Sequence, residues 1–279
     1  MRFTTAQIIL FGLTAILYVM GFAWGSLRLW RKQEPHDGVS RIVWGGFFTN
    51  IILILSIVIS EGTGHIPNQF DTIIGLTAGI ALMSLLLRNY AKSSLTVPVG
   101  IGVCTLFILF AGTLMIRHPQ SSSTLSMNGW LILHIAMILL SYVVFSMGFI
   151  TGILFIVQER MVRSKSTGFL WKALPSLERS ETISTTSVLI GFPLLTIGII
   201  LGIFGGEYLE NQLSMPWYQD PEVFLSLLTW IVYGVLLLLR KWLLVKGRKF
   251  AYLSVVGFCL ILTTVIVGEF LWEGFHQNL

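Results

Sequence analysis

Apolar residues run along this chain in blocks of about twenty, the length that crosses a bilayer, and charged residues fall almost wholly between the blocks. Reading each block from charge to charge predicts eight spans, near 6–27, 42–60, 70–88, 97–116, 129–157, 184–206, 223–240 and 250–272. In lipid such spans are helices, because an open strand would leave its backbone groups unpaired. The expectation is therefore all-α: a polytopic membrane protein of eight transmembrane helices, one membrane domain over 1–279, with connections too short to fold alone.

The connections alternate in charge. Arg28, Arg31, Lys32 and Arg41 lie between spans one and two, and Arg88 and Lys92 between three and four. Arg160, Arg163, Lys165, Lys172 and Arg179 follow span five, and Arg240, Lys241, Lys246, Arg248 and Lys249 follow span seven. Sixteen of the 18 basic residues thus share one side, leaving Arg2 and Arg117 on the other. The positive-inside bias makes the basic side cytoplasmic, which puts both termini outside. Glu61, Asp71, Glu207, Glu210, Asp220, Glu222, Glu269 and Glu273 lean to the outer side. The net charge of +5 is then a topology signal rather than a nucleic-acid footprint. A composition 54% hydrophobic and 11% charged excludes an ordinary soluble domain, in which about a quarter of residues are charged.

Span five is the longest, and it reads as a helix emerging into the cytoplasm. The inner connection 158–183 holds Pro175 and Ser176, which suggest a short interfacial helix. Pro216 and Pro221 are expected to interrupt helix in the aromatic, acidic outer loop 207–222. Cys104 and Cys259 sit in apolar runs without a CxxC, so neither a disulfide framework nor covalent haem attachment is indicated. The amino-terminal run, with no small-residue cleavage site after it, reads as a retained span.

Five histidines carry the candidate chemistry: His36 on the inner side, and His65, His118, His134 and His276 toward the outer side. An imidazole has a near-neutral pKa and a ligating nitrogen, so a set at one depth can bind a metal or a haem iron. Water and headgroups are enough for His118 in RHPQSSS, and His65 in GTGHIPNQ is balanced between the two readings. His134 lies inside a span, where an ionisable group marks function more often than a simple interhelical hydrogen bond. His276 could join it from the carboxyl-terminal end, both rings meeting one iron from opposite faces. Trp130, Tyr208, Trp217, Tyr218 and Phe275 could wall a porphyrin, although each alone also fits an interfacial aromatic belt. No GxSxG or HExxH is present, and no midplane carboxylate or arginine chain points to ion transport. Gly75, Gly79, Gly100, Gly102, Gly148, Gly152, Gly198 and Gly202 imply close helix contacts.

These segments, taken in order, resemble the cytochrome c assembly membrane proteins of the CcsA and HemX type. Gly64, His65, Ile66 and Pro67 look like that family's GHxP stretch, and residues 128–160 are similar to its long histidine-bearing helix. Trp217, Tyr218, Gln219, Asp220 and Pro221 resemble its tryptophan-rich loop, and Gly274, Phe275 and His276 its carboxyl-terminal GxH. The resemblance implies non-covalent b-type haem ligated by His134 and His276, with Trp217, Asp220 and His65 in the haem-binding set. In the synthetase members it implies a CcsB- or ResB-type partner and haem joined by thioether bonds to CxxCH of an apocytochrome c. Two departures, Gln219 within the loop and Leu238 where those members carry a histidine, make the chain look closer to HemX, which is associated with tetrapyrrole biosynthesis and the level of glutamyl-tRNA reductase.

The resulting expectation is a haem-binding protein of a bacterial cytoplasmic membrane, acting in cytochrome c assembly or haem handling without independent catalytic activity. Two alternatives stand beside it. One is a haem lyase component working with a CcsB-type protein; the other is a membrane regulator of glutamyl-tRNA reductase acting through the 158–183 loop.

Overall fold

A computed structural model describes residues 3–34, 37–61, 67–117, 129–165, 168, 170–213, 221–242 and 245–271. Among them run nine helices and no strand: α1 (Thr5–Trp30), α2 (Asp37–Glu61), α3 (Gln69–Ala91), α4 (Thr96–Arg117), α5 (Gly129–Arg163), α6 (Leu170–Ala173), α7 (Leu177–Leu213), α8 (Pro221–Trp242) and α9 (Arg248–Leu271). All but the single-turn α6 are long and apolar enough to cross a membrane, giving 8 spans.

Local chemistry sets the helix ends. Thr4 and Gln7 form a reciprocal cap on α1, each side chain bonding the other's backbone, and Asn68 and Asp71 do the same for α3. At the far end of α3, Lys92 turns left-handed (φ +51°) and donates its N–H to the Arg88 carbonyl. α5, at 35 residues, is about 52 Å long against a hydrocarbon core of about 30 Å, so it projects beyond the membrane as its sequence suggests.

The 158–183 connection is where the structure departs most from expectation. Instead of a short interfacial helix after Pro175, Ser176 caps α7 itself, its hydroxyl accepting from the Arg179 N–H at 3.3 Å, and α7 runs 37 residues. Hydropathy hides the first turns, LERSETISTTS, because they are polar. They are helical because Ser176 caps them, no proline falls within them, and Ser180, Ile183, Ser184 and Ser187 are buried against neighbouring helices; α7 then carries Pro193 in its interior. In the same way α7 continues through 207–213 into the segment expected as outer loop, and Pro221 opens α8, where a missing N–H costs nothing.

Successive long helices run in opposite directions, so their charged ends collect. At one end Arg88 pairs with Asp37 and donates to the Ser40 hydroxyl, Arg240 reaches Glu181 at 2.6 Å and Ser93 donates to the Ala173 carbonyl at 2.7 Å. Arg163 meets Glu159 at 2.7 Å there, with Arg248 at 3.5 Å. At the opposite end Gln7 of α1 donates to the Ser60 hydroxyl of α2 at 2.9 Å, and Gln69 of α3 to the Val265 carbonyl of α9 at 3.1 Å. We call these the basic and the non-basic end.

Two packed centres hold the bundle. In the first half Asn50 of α2 donates to the Thr77 hydroxyl of α3 (2.9 Å) and to the Tyr18 hydroxyl of α1 (3.3 Å), while Cys104 of α4 lies 3.4 Å from the Thr77 carbonyl. These groups are buried at span depth, so hydrogen bonding between helices replaces water. In the second half the rings of Phe145 (α5) and Tyr233 (α8) stack at 3.8 Å, and the Ser184 hydroxyl of α7 bonds that of Ser254 on α9. Both cysteines are free.

Candidate functional site

His134 stands in the second turn of α5 at the non-basic end, and its surroundings are made by α7. The two helices are antiparallel and meet along a ladder in which each α5 side chain lies over an α7 glycine: Phe145 on Gly191, Ile138 on Gly198, His134 on Gly202 and Trp130 on Gly205. The steps between the α5 residues are seven, four and four, and those between the glycines seven, four and three. Each set therefore falls on one helix face. A Cβ at Gly202 would come within 2.6 Å of His134 Cε1 and 2.9 Å of its Nδ1, so the bare backbone there is what admits the imidazole.

The ring is oriented as well as admitted. Nδ1 lies 2.7 Å from the Gly198 carbonyl oxygen. A carbonyl can only accept, so Nδ1 carries the hydrogen, and in the neutral ring the lone pair sits on Nε2. A backbone carbonyl on one imidazole nitrogen is the arrangement that fixes tautomer and orientation in metal-ligating histidines. One turn farther out, Trp130 lies over Gly205, placing an indole beside the histidine. Among the described residues no three His, Cys, Asp or Glu side chains are grouped to hold a metal ion. A single oriented imidazole suits axial ligation of a haem iron better than a closed metal cage.

Of the other expected site residues, His65, His276, Trp217 and Asp220 lie outside the described residues, as do Tyr218, Phe275, His36 and His118. Their flanking helix ends are placed. Asn68, three residues after His65, caps α3 at the non-basic end, where Gln69 binds the last turns of α9. α5 and α9 run antiparallel, Gly148 against Ser254 and Gly152 against Ala251, and continuing that register carries His134 level with Gly268, eight residues before His276. Leu238, where a histidine is expected in the synthetase members, is 57% exposed on α8 and so faces out of the bundle.

Sequence reasoning noted Gly198 and Gly202 as packing residues and missed their relation to His134. Their four-residue spacing was the signal, but spacing alone does not say which helix lies opposite. The Tyr18–Asn50–Thr77 network was missed too, although the amide of Asn50, directly before the apolar run IILILS and within span two, could have flagged it.

Comparison with known proteins bears on this arrangement. The family described as Cytochrome C assembly protein matches residues 42–276. A cytochrome c biogenesis protein CcsA from Prochlorococcus marinus (strain MIT 9301) is 29% identical over 253 residues, covering 82% of this chain and 81% of the relative. Proteins of the same name from Guillardia theta (26% over 268 residues, 86% and 87% covered) and Trieres chinensis (28% over 298 residues, 94% and 93% covered) match comparably. The leaning toward HemX, tetrapyrrole biosynthesis and glutamyl-tRNA reductase is not supported by these relatives, each of which carries the CcsA name.

Proposed function

The chain belongs to the cytochrome c assembly protein family, and from that premise we propose that it is the haem-binding membrane component of a cytochrome c synthetase rather than a HemX-type protein. It spans a bacterial cytoplasmic membrane with its basic end inward and both termini outward, and it holds haem at the outer, non-basic end through His134 and His276. The observation that carries this reading is the oriented imidazole: His134 Nδ1–H on the Gly198 carbonyl at 2.7 Å, with Gly202 clearing the space beside the ring.

The residues fit the group in their chemistry. His134 supplies a neutral nitrogen donor from a rigid helix pair, Trp130 a flat apolar neighbour, and the register of α5 and α9 brings the chain that carries His276 to the same end. Trp217, Asp220 and His65 belong to connections that begin or end at that end of the bundle, and we assign them to the seat of the porphyrin. Haem ligated there is the substrate that a CcsB- or ResB-type partner and an apocytochrome c would share. The role we assign to this chain is to bind, orient and present haem to those partners. Leu238, facing outward from α8, gives no inner ligand from that helix.

Reconstitution tests the assignment. Co-expression of this chain with a CcsB-type protein and an apocytochrome c should yield holocytochrome, and His134→Ala should abolish the yield. Holocytochrome at an undiminished level with His134→Ala would overturn it.

A further inference from the structure

At the basic end, far from His134, α1 and α2 enclose an open cleft of about 460 Å³ lined by Trp24, Arg28, Gly38 and Arg41. Arg28 is held in place by its Nε donating to the Glu34 carbonyl at 2.9 Å. Arg41 makes no ion pair among the described residues; of the two acidic residues close by in sequence, Asp37 is engaged by Arg88 of α3, and neither Asp37 nor Glu34 lines the cleft. Two guanidinium groups therefore face one cleft that has no carboxylate in its lining. Trp24 lies one turn into the membrane from Arg28, and Trp44 lies three residues beyond Arg41 on α2, so each helix carries a cation at the surface and an indole below it. Below the cleft the flanking surface is apolar and exposed, with Met20, Phe48 and Ile52 each about half uncovered. A cationic mouth over an aromatic collar and an apolar wall matches one ligand chemistry, a phosphate carried on acyl chains.

We propose that this cleft is a binding site for the phosphate headgroup of an anionic phospholipid, held by Arg28 and Arg41 with its chains along the outer faces of α1 and α2. A positive-inside residue needs only to be on the correct side of the membrane; these two also line a common cavity, and the test separates the roles. Arg31 and Lys32 are adjacent and of equal charge but do not line the cleft, so they provide the control.

The full chain, in nanodiscs of mixed phosphatidylglycerol and phosphatidylcholine, is released in the mass spectrometer and retained lipid counted. The wild type should retain phosphatidylglycerol selectively. Arg28→Gln with Arg41→Gln should lower that retention about a hundredfold, the loss of a charge-assisted hydrogen bond to the phosphate from each guanidinium. Arg31→Gln with Lys32→Gln should leave it nearly unchanged, and Arg28→Lys with Arg41→Lys, which keeps the charge, should retain most of it. Equal loss in the two glutamine pairs, or equal retention of phosphatidylcholine, overturns the proposal in favour of diffuse surface charge. Equilibrium dialysis of the detergent-solubilised chain against inorganic phosphate separates the headgroup from a soluble anion. No retention of phosphate is expected, and retention as strong as that of the lipid overturns the assignment.

Discussion

At His134 the deciding feature is an atom that is absent, the Cβ that any residue but glycine would place at position 202. Gly202→Ala would put that carbon 2.6 Å from Cε1, and the imbalance is relieved most easily by swinging the imidazole off the Gly198 carbonyl. We expect about 1–3 kcal/mol of lost stability from such overpacking, together with an altered haem spectrum at unchanged helix content. A spectrum identical to wild type would show that the glycine only packs. Protonation acts on the other ring nitrogen. Because Nδ1 already carries a hydrogen, an added proton would go to Nε2, the nitrogen that would otherwise be free to ligate haem. The neutral ring is the ligating form, so retained haem should fall as pH drops. Spectrophotometric titration checks the sign, and retention rising toward acid would contradict it. The sequence made His134 a candidate by its depth within a span and by the resemblance of residues 128–160 to the family's histidine-bearing helix. Its partner atom is a backbone carbonyl, which no side-chain pattern reveals.

Between elements, the α5–α7 ladder positions the site, and its glycines should be unequal to others in the chain. Gly191→Leu drives a side chain into the Phe145 ring, whose Cε1 would already lie 2.6 Å from a Cβ. At Gly12 on α1 an added Cβ meets nothing within 4 Å, so Gly12→Leu starts into open space. Thermal unfolding in detergent should register about 1–3 kcal/mol for the first and little for the second; equal effects would mean that the helices are not in this register. In the first half of the bundle Asn50→Leu removes the bonds to Thr77 and Tyr18 and should cost about 1 kcal/mol, the usual size of an interhelical hydrogen bond in lipid. Helix existence was legible from apolar length, but the α7 boundaries were not. Its first turns are polar because they lie near the basic end, and its last turns continue because no proline falls between Pro193, which the helix carries in its interior, and Pro216.

For the whole molecule, alternation of charge predicted alternation of helix direction, and the ion pairs of Arg88, Arg240 and Arg163 gather at one end as that alternation requires. Thiols introduced at Lys92 and at Ser121 should therefore label from opposite faces of intact membranes; labelling from the same face would contradict the orientation. Pairing across the bundle was less legible. A residue in α2 and one in α3 meet through an amide and a hydroxyl whose spans look alike in hydropathy, and α5 finds α7 through glycines that recur elsewhere. The central claim is that two histidines far apart in sequence hold one haem at the non-basic end. Its most direct measurement is the absorption spectrum of the purified full chain beside His134→Ala and His276→Ala. The account predicts a low-spin bis-histidine Soret band in the wild type that is lost or turned high-spin in each variant. A wild-type spectrum left unchanged by either substitution would contradict it.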